Sequence, residues 1–193
     1  MSHPKCCLLI GNTRWHWAIQ KNNIWHFLHT APNSDMLRQH NCDVWKWASV
    51  GQKPHTIELD PARCIKTTDI PLAKLPHWIG IDRALAGWGA FTKAKKNNLH
   101  SRGVLIADAG TVLSITRIRA NGEFAGGQLV PGFRLQLQSM SSGTENLKEV
   151  KKTLIPMKKF PINTEEAMIK GTFQALIGTL LEAQRTTNMP IWL

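Results

Sequence analysis

Two short turns in this chain have the residue types that can hold a phosphate. The apolar run Leu8, Leu9, Ile10 breaks into Gly11, Asn12, Thr13 and resumes as Trp15, His16, Trp17. Ile106 and Ala107 run into Asp108, Ala109, Gly110, Thr111, and a second glycine-rich stretch follows from Gly122 to Gly132. Glycine lets backbone N–H groups approach an anion, and the Thr hydroxyl adds a donor. Two such turns, roughly a hundred residues apart, suggest two similar lobes facing one phosphate-bearing ligand. Each turn has a plainer reading. Asn and Gly favour any hairpin turn, and Asp108 can close an Asx-turn as readily as it can face a cation.

Two helix starts carry further candidates. Gly80, Ile81, Asp82 and Arg83 open a helical pattern. Asp82 is placed as an N-cap, or as a carboxylate that takes a proton from a substrate hydroxyl. Arg83 beside it can clamp a carboxylate. Asn163 and Thr164 open a second helix, either as a cap or as donors for an anionic or polar substrate.

The elements that must position these residues follow from periodicity. Residues 6–19 read as a hairpin, and residues 24–29 extend it as a meander. Ser34 is the expected cap of a helix to Asn41, and Val44–Val50 reads as a buried strand. The proline-rich segment 52–79 reads as loops with short strands at Thr56–Leu59 and Cys64–Lys66. A helix is expected from Asp82 to Asn97, with Lys93, Lys95 and Lys96 in its last turn, where they suit the dipole. Further helices are expected over Phe133–Lys148 and from Asn163 to Gln184, the latter opening on a capping box with Glu166. Trp15 and Trp17, and Trp45 and Trp47, lie two apart and read as core pairs on one strand face. The pattern predicts an α/β fold with mixed sheets in two lobes.

The totals narrow the function classes. The chain has 193 residues and a formal net charge of +11. Its basic residues are scattered and not interleaved with aromatics, which points to a solvated surface and away from nucleic acid. No run approaches the about 18 apolar residues of a membrane helix, and the polar N-terminus lacks a signal-peptide core. These features predict a cytoplasmic protein with no membrane partner. Cys6, Cys7, Cys42 and Cys64 have no metal-site spacing and read as free thiols.

Taken together, five segments resemble the type III pantothenate kinases of the actin superfamily. They are Leu9–Thr13, Gly80–Arg83, Asp108–Thr111, Gly122–Gly132 and Asn163–Thr164. The resemblance implies two actin/ribonuclease H-like lobes with mixed β-sheets flanked by helices and an active-site cleft between them. Residues 1–79 would form a shortened N-terminal lobe and residues 80–193 a C-terminal lobe that ends early. It implies ATP-dependent phosphorylation of pantothenate to 4′-phosphopantothenate, the first step of coenzyme A synthesis, by a homodimer. Asp82 would be the general base. Gly80, Ile81, Asp82, Arg83 and Thr164 would bind pantothenate. Leu9, Ile10, Gly11, Asn12, Thr13, Arg14, Trp15, His16 and Thr111 would bind ATP, with Mg2+. Asp108 would hold a monovalent cation, K+ or NH4+.

The chain departs from the family pattern in three places. Leu9 stands where the first phosphate motif has Asp. Pro76, His77, Trp78 and Ile79 stand where a Tyr is usual. The sequence stops at Leu193, before a Gly-Gly turn that the family carries near the adenosine. The departures motivate an alternative, a non-catalytic member that binds ligands or partners, and the net charge of +11 motivates a nucleic-acid-associated regulator.

Overall fold

Cys6, Leu8 and Ile10 point to one face of β1 (Cys6–Ile10) and are buried, as side-chain alternation along a strand requires. A computed structural model of the chain describes residues 5–40, 44–50, 59–151 and 154–193. They fall into two units, one to Leu85 and one from Ala86. The first holds a four-stranded sheet in the order β3-β2-β1-β4. β2 (Trp15–Lys21) buries Trp15, Trp17 and Ile19 against the same core and pairs antiparallel with β1. β3 (Ile24–Thr30) returns antiparallel to β2 through Asn22 and Asn23, at φ 50° and 62°. Two successive left-handed residues match the right-handed twist of a tight hairpin, and Asn tolerates them. The buried Trp17 indole donates to Thr30 Oγ1 at 3.2 Å, so its N–H is not stranded.

The next helix, α1 (Ser34–His40), places Leu37 in this core. Its cap is Asn33 rather than the expected Ser34: Asn33 Oδ1 accepts from the amides of Asp35 and Met36, both at 3.0 Å. β4 (Val44–Ser49) then pairs parallel with β1. Its two tryptophans part company, against the expectation of a core pair. Trp47 is buried, but Trp45 is half-exposed. The register shifts between Cys6 and Cys7, which face Val44 and Lys46, so Trp45 is the extra residue of a bulge and turns outward. There Lys5 Nζ lies 4.7 Å from its ring centre. Among the described residues after β4, the strand expected over Cys64–Lys66 is not formed. Cys64 makes one parallel bridge to Trp47, and the Thr56–Leu59 strand lies largely outside the described residues.

The second unit has a sheet in the order β7-β6-β5-β8. β5 (Val104–Ala109) is buried from Val104 to Ala107, the continuous apolar run of a strand covered on both faces. β6 (Val112–Ile118) and β7 (Phe124–Pro131) extend it antiparallel, and β8 (Ile191–Trp192) adds in parallel at the other side of β5. Helix α2 (Ile81–Lys96) begins in the first unit and ends in the second. Two more helices belong to the second unit. α3 (Phe133–Ser142) stops at Gly143, short of the expected Lys148, and serine hydroxyls in its last turn bond back to its own carbonyls. α4 (Thr164–Thr187) runs past the expected Gln184 to Asn188, whose left-handed backbone ends it. Leu176, Leu180 and Ala183 pack α4 onto Leu105, Ala107, Leu113 and Ile115. Two four-stranded mixed sheets with flanking helices bear out the α/β expectation.

Asn163 Oδ1 accepts from the Glu166 amide at 2.9 Å, the cap read from sequence. Asn163→Ala should cost about 1 kcal/mol in urea unfolding, and Asn163→Asp should recover most of it.

Candidate functional site

β1 and β4 are parallel neighbours, and the candidate residues of the first unit collect where both strands end. The Val50 amide donates to the Ile10 carbonyl at 2.9 Å. Val50 in turn reaches the start of α2: a β-carbon placed on Gly80 would lie 3.6 Å from Val50 Cγ1 and 2.5 Å from Asp82 Oδ1. Gly80 is therefore the residue that lets the Asp82 carboxylate fold back over the helix entrance. Asp82 Oδ1 accepts from the Arg83 amide at 2.8 Å, one of the helix-start donors that lack an intrahelical partner. The Gly80 carbonyl accepts the first helical bond, from Ala84. Asp82 thus lies inside the first turn, where the helix dipole favours its negative charge, and Gly80 holds the cap position expected of Asp82. Ile81 is buried. Burial lowers the pKa of Arg83, and the Asp82 charge beside it works the other way.

The Gly11 turn closes on itself. Gly11 donates to the Arg14 carbonyl at 3.0 Å, so its own N–H serves the hairpin. A β-carbon here would sit 2.6 Å from that carbonyl oxygen, which is why the position needs glycine. Asn12, Thr13 and Arg14 are exposed around it. The other residues expected to bind ATP divide by strand face. Ile10 and Trp15 point into the core and can reach a ligand only through backbone. Leu9 and His16 are register partners on the opposite face.

In the second unit, Asp108 and Ala109 are the exposed end of β5. Gly110 donates to the Val112 carbonyl at 3.3 Å, and Gly132 donates to the Thr111 carbonyl at 2.9 Å. A β-carbon on Gly132 would strike the Gly110 carbonyl oxygen and lie 2.5 Å from that of Thr111. The distant Pro131–Gly132 segment thus braces the Asp108–Thr111 turn, and Gly132 goes on to cap α3. Thr164 is exposed at the start of α4. The structure brings together the Gly11 turn and Gly80–Arg83 in the first unit, and Asp108, Thr111 and Gly132 in the second.

Oxygen donors dominate the second turn: the Asp108 carboxylate and the carbonyls of Gly110 and Thr111. That donor set suits a hard monovalent cation. The first turn offers Leu9 and no carboxylate of its own, so it lacks the carboxylate by which Mg2+ is usually held together with phosphates and water. Among the described residues, no group of three or more His, Cys, Asp or Glu could hold a metal.

Sequence reasoning missed two residues. Val50 links the Gly11 turn to Gly80, a tertiary contact with no sequence signal. His29 faces His16 across the β2–β3 hairpin, and their Nδ1 atoms are 2.8 Å apart. That pairing could have been read from the two histidines' symmetric distance from Asn22–Asn23.

The profile of the family described as type III pantothenate kinase matches residues 66–185, which include every motif except the first turn. A type III pantothenate kinase of Thermosynechococcus vestitus is 32% identical over 181 residues, covering 90% of this chain and 67% of its own. One from Synechococcus elongatus is 30% identical over 192 residues, covering 90% and 74%. One from Nitrosomonas eutropha is 26% identical over 191 residues, covering 88% and 71%.

The bracing role of Gly132 gives a direct test. Gly132→Ala should lower stability by about 1–3 kcal/mol, because backbone and not a flexible side chain has to move. Gly89→Ala, in open space within α2, should raise it by up to about 1 kcal/mol. Thermal unfolding of the two variants measures both.

Proposed function

We propose a reading that proceeds from one fact: this chain belongs to the type III pantothenate kinase family. In this reading it transfers the γ-phosphoryl group of ATP to the hydroxyl of pantothenate. ADP and 4′-phosphopantothenate are the products, and the step opens coenzyme A synthesis. The observation that supports it best is the docking of Gly80–Arg83 at the ends of β1 and β4, next to the Gly11 turn. A carboxylate held at a helix entrance, beside a glycine turn at the ends of parallel strands, suits a base facing a phosphate ligand.

Asp82 takes the proton of the pantothenate hydroxyl as its oxygen bonds to the γ-phosphorus and the bond to the β-phosphate oxygen breaks. The Arg83 amide, which donates to its Oδ1, keeps the Asp82 carboxylate aimed for that role. Arg83 pairs with the pantothenate carboxylate, and Gly80 and Ile81 line the pocket; in the second unit, Thr164 offers an exposed hydroxyl at the start of α4. In the first unit Asn12 and Thr13 hold phosphates through their amides and hydroxyls, and Leu9, Ile10, Gly11, Arg14, Trp15 and His16 complete the nucleotide contact; in the second unit Thr111 offers donors of the same kind. Phosphoryl transfer needs mainly positioning and charge neutralisation. Asp108 and the neighbouring carbonyls would hold K+ or NH4+, which neutralises phosphate charge when bound. Mg2+ would arrive with ATP, held by phosphates and water, because Leu9 gives it no carboxylate.

The acting form is a homodimer in this reading. Leu154, Met157, Phe160 and Ile162 are 86%, 97%, 88% and 89% exposed, within nine residues that lead into α4. Such an apolar cluster calls for a partner, and a second copy meets the need. No helix among the described residues is long and apolar enough to cross a membrane. We place the reaction in the cytoplasm, with its nucleotide.

Asp82→Asn should cut turnover by at least about 100-fold in an ADP-release assay while pantothenate still binds by calorimetry. Full turnover in that variant would remove Asp82 as the base. Phe160→Asp with Met157→Asp should halve the mass read by light scattering, with far-UV circular dichroism unchanged.

A further inference from the structure

A groove of about 380 Å³ runs along α4 in the second unit. Pro131, Gln136, Ser139 and Met140 form one wall, from the end of β7 and from α3. Ala167, Gly171 and Ala175, one turn apart on α4, form the other, with Met168 and Thr172 beside them. Small-molecule sites commonly occupy about 300–1,000 Å³, so the groove is large enough for one. A β-carbon placed on Gly171 would meet nothing within 4 Å, and its backbone is not left-handed. Neither close packing nor backbone conformation calls for glycine there, and a helix interior disfavours it.

The floor of the groove holds a polar atom without a partner. Thr172 is 4% exposed, and its hydroxyl makes no hydrogen bond. Two other threonines of α4 bond back along the helix. Thr179 Oγ1 donates to the Ala175 carbonyl at 2.9 Å, and Thr187 Oγ1 donates to the Ala183 carbonyl at 2.7 Å. Thr172 makes no such bond, and a buried hydroxyl left unpaired is costly. The opposite wall is complementary to it. Gln136 Nε2 donates to the Pro131 carbonyl at 2.7 Å, which leaves Oε1 as an acceptor. Ser139 Oγ donates to the Leu135 carbonyl at 2.8 Å, which leaves its lone pairs to accept. A donor on the floor and acceptors on the wall match the C=O and N–H of one amide. No lining residue carries a charge, so an ion would lose its water and gain no counter-charge. Met140 and Met168 offer apolar surface that adapts to an alkyl chain.

We propose that the groove between α3 and α4 binds a small, uncharged aliphatic amide. Its carbonyl accepts from Thr172 Oγ1, its N–H groups donate to Gln136 and Ser139, and its chain lies over Met140 and Met168. None of these residues belongs to the nucleotide or pantothenate contacts, and the site does not depend on the kinase reading.

The test titrates the full chain, with isotope-labelled methionine methyls, against hexanamide and against hexanoate, its charged counterpart. Hexanamide should move the Met140 and Met168 methyl NMR signals to saturation, and hexanoate should bind at least about tenfold more weakly. Thr172→Val keeps the side-chain shape and removes the hydroxyl. It should weaken hexanamide by about fivefold while the melting temperature holds or rises, and Thr172→Ser should bind as wild type does. Gly171→Leu fills the groove from an open position, so it should abolish the shifts with far-UV circular dichroism unchanged. The proposal is overturned by no saturable shift with hexanamide, by equal binding of hexanoate, or by unchanged affinity in Thr172→Val and Gly171→Leu. It also falls if the two methyl signals change with protein concentration alone and hexanamide has no effect on them, because a second copy then covers the groove.

Discussion

Where β1 and β4 end side by side, the Val50 amide donates to the Ile10 carbonyl. That bond fixes the level at which two chain segments leave the sheet. One turns at once through Gly11. The other continues toward α2, and Val50 packs where Gly80 lacks a side chain. The distance between a turn that can hold phosphate and a carboxylate that can take a proton is therefore set inside one unit, by one parallel strand pair. An antiparallel pairing of β1 and β4 would send the two segments to opposite ends of the sheet. The rest of the first unit, with Trp17, Trp47 and Leu37 in its core, keeps that pair from sliding.

The second unit solves a similar problem by another route. Its turn between β5 and β6 is braced from outside by Gly132, which fits against two carbonyl oxygens because it has no β-carbon. In the first turn glycine serves the hairpin's own bond, and in the second it admits a distant strand end. In both, the glycine amide is occupied by protein, so an anion would be met by neighbouring amides and by threonine hydroxyls. A glycine-rich motif does not mean that the glycine N–H is the donor.

Much of this was readable in the sequence where local rules govern. Strand alternation placed Trp15 and Trp17 correctly in the core, and Asn163 with Glu166 announced the start of α4. Asp82 at a helix start was clear, but its position inside the first turn was not, because a glycine cap leaves no side-chain signal. Trp45 misled because a bulge changes the face of a residue without changing its spacing. The Val50–Gly80 contact and the Gly132 brace join segments about twenty to thirty residues apart, and no single-sequence periodicity reports such contacts.

The strand that carries His29 is also the outer strand of its sheet, with Ile24 63% and Phe27 70% exposed. Such an edge invites pairing with another chain, and proteins commonly guard one with charge. Position 29 is poorly suited to that guard, because a lysine there would supply charge and remove the ring that faces His16. Resistance to aggregation and the pairing with His16 compete for this position, and protection of this edge has to come from other positions on the strand.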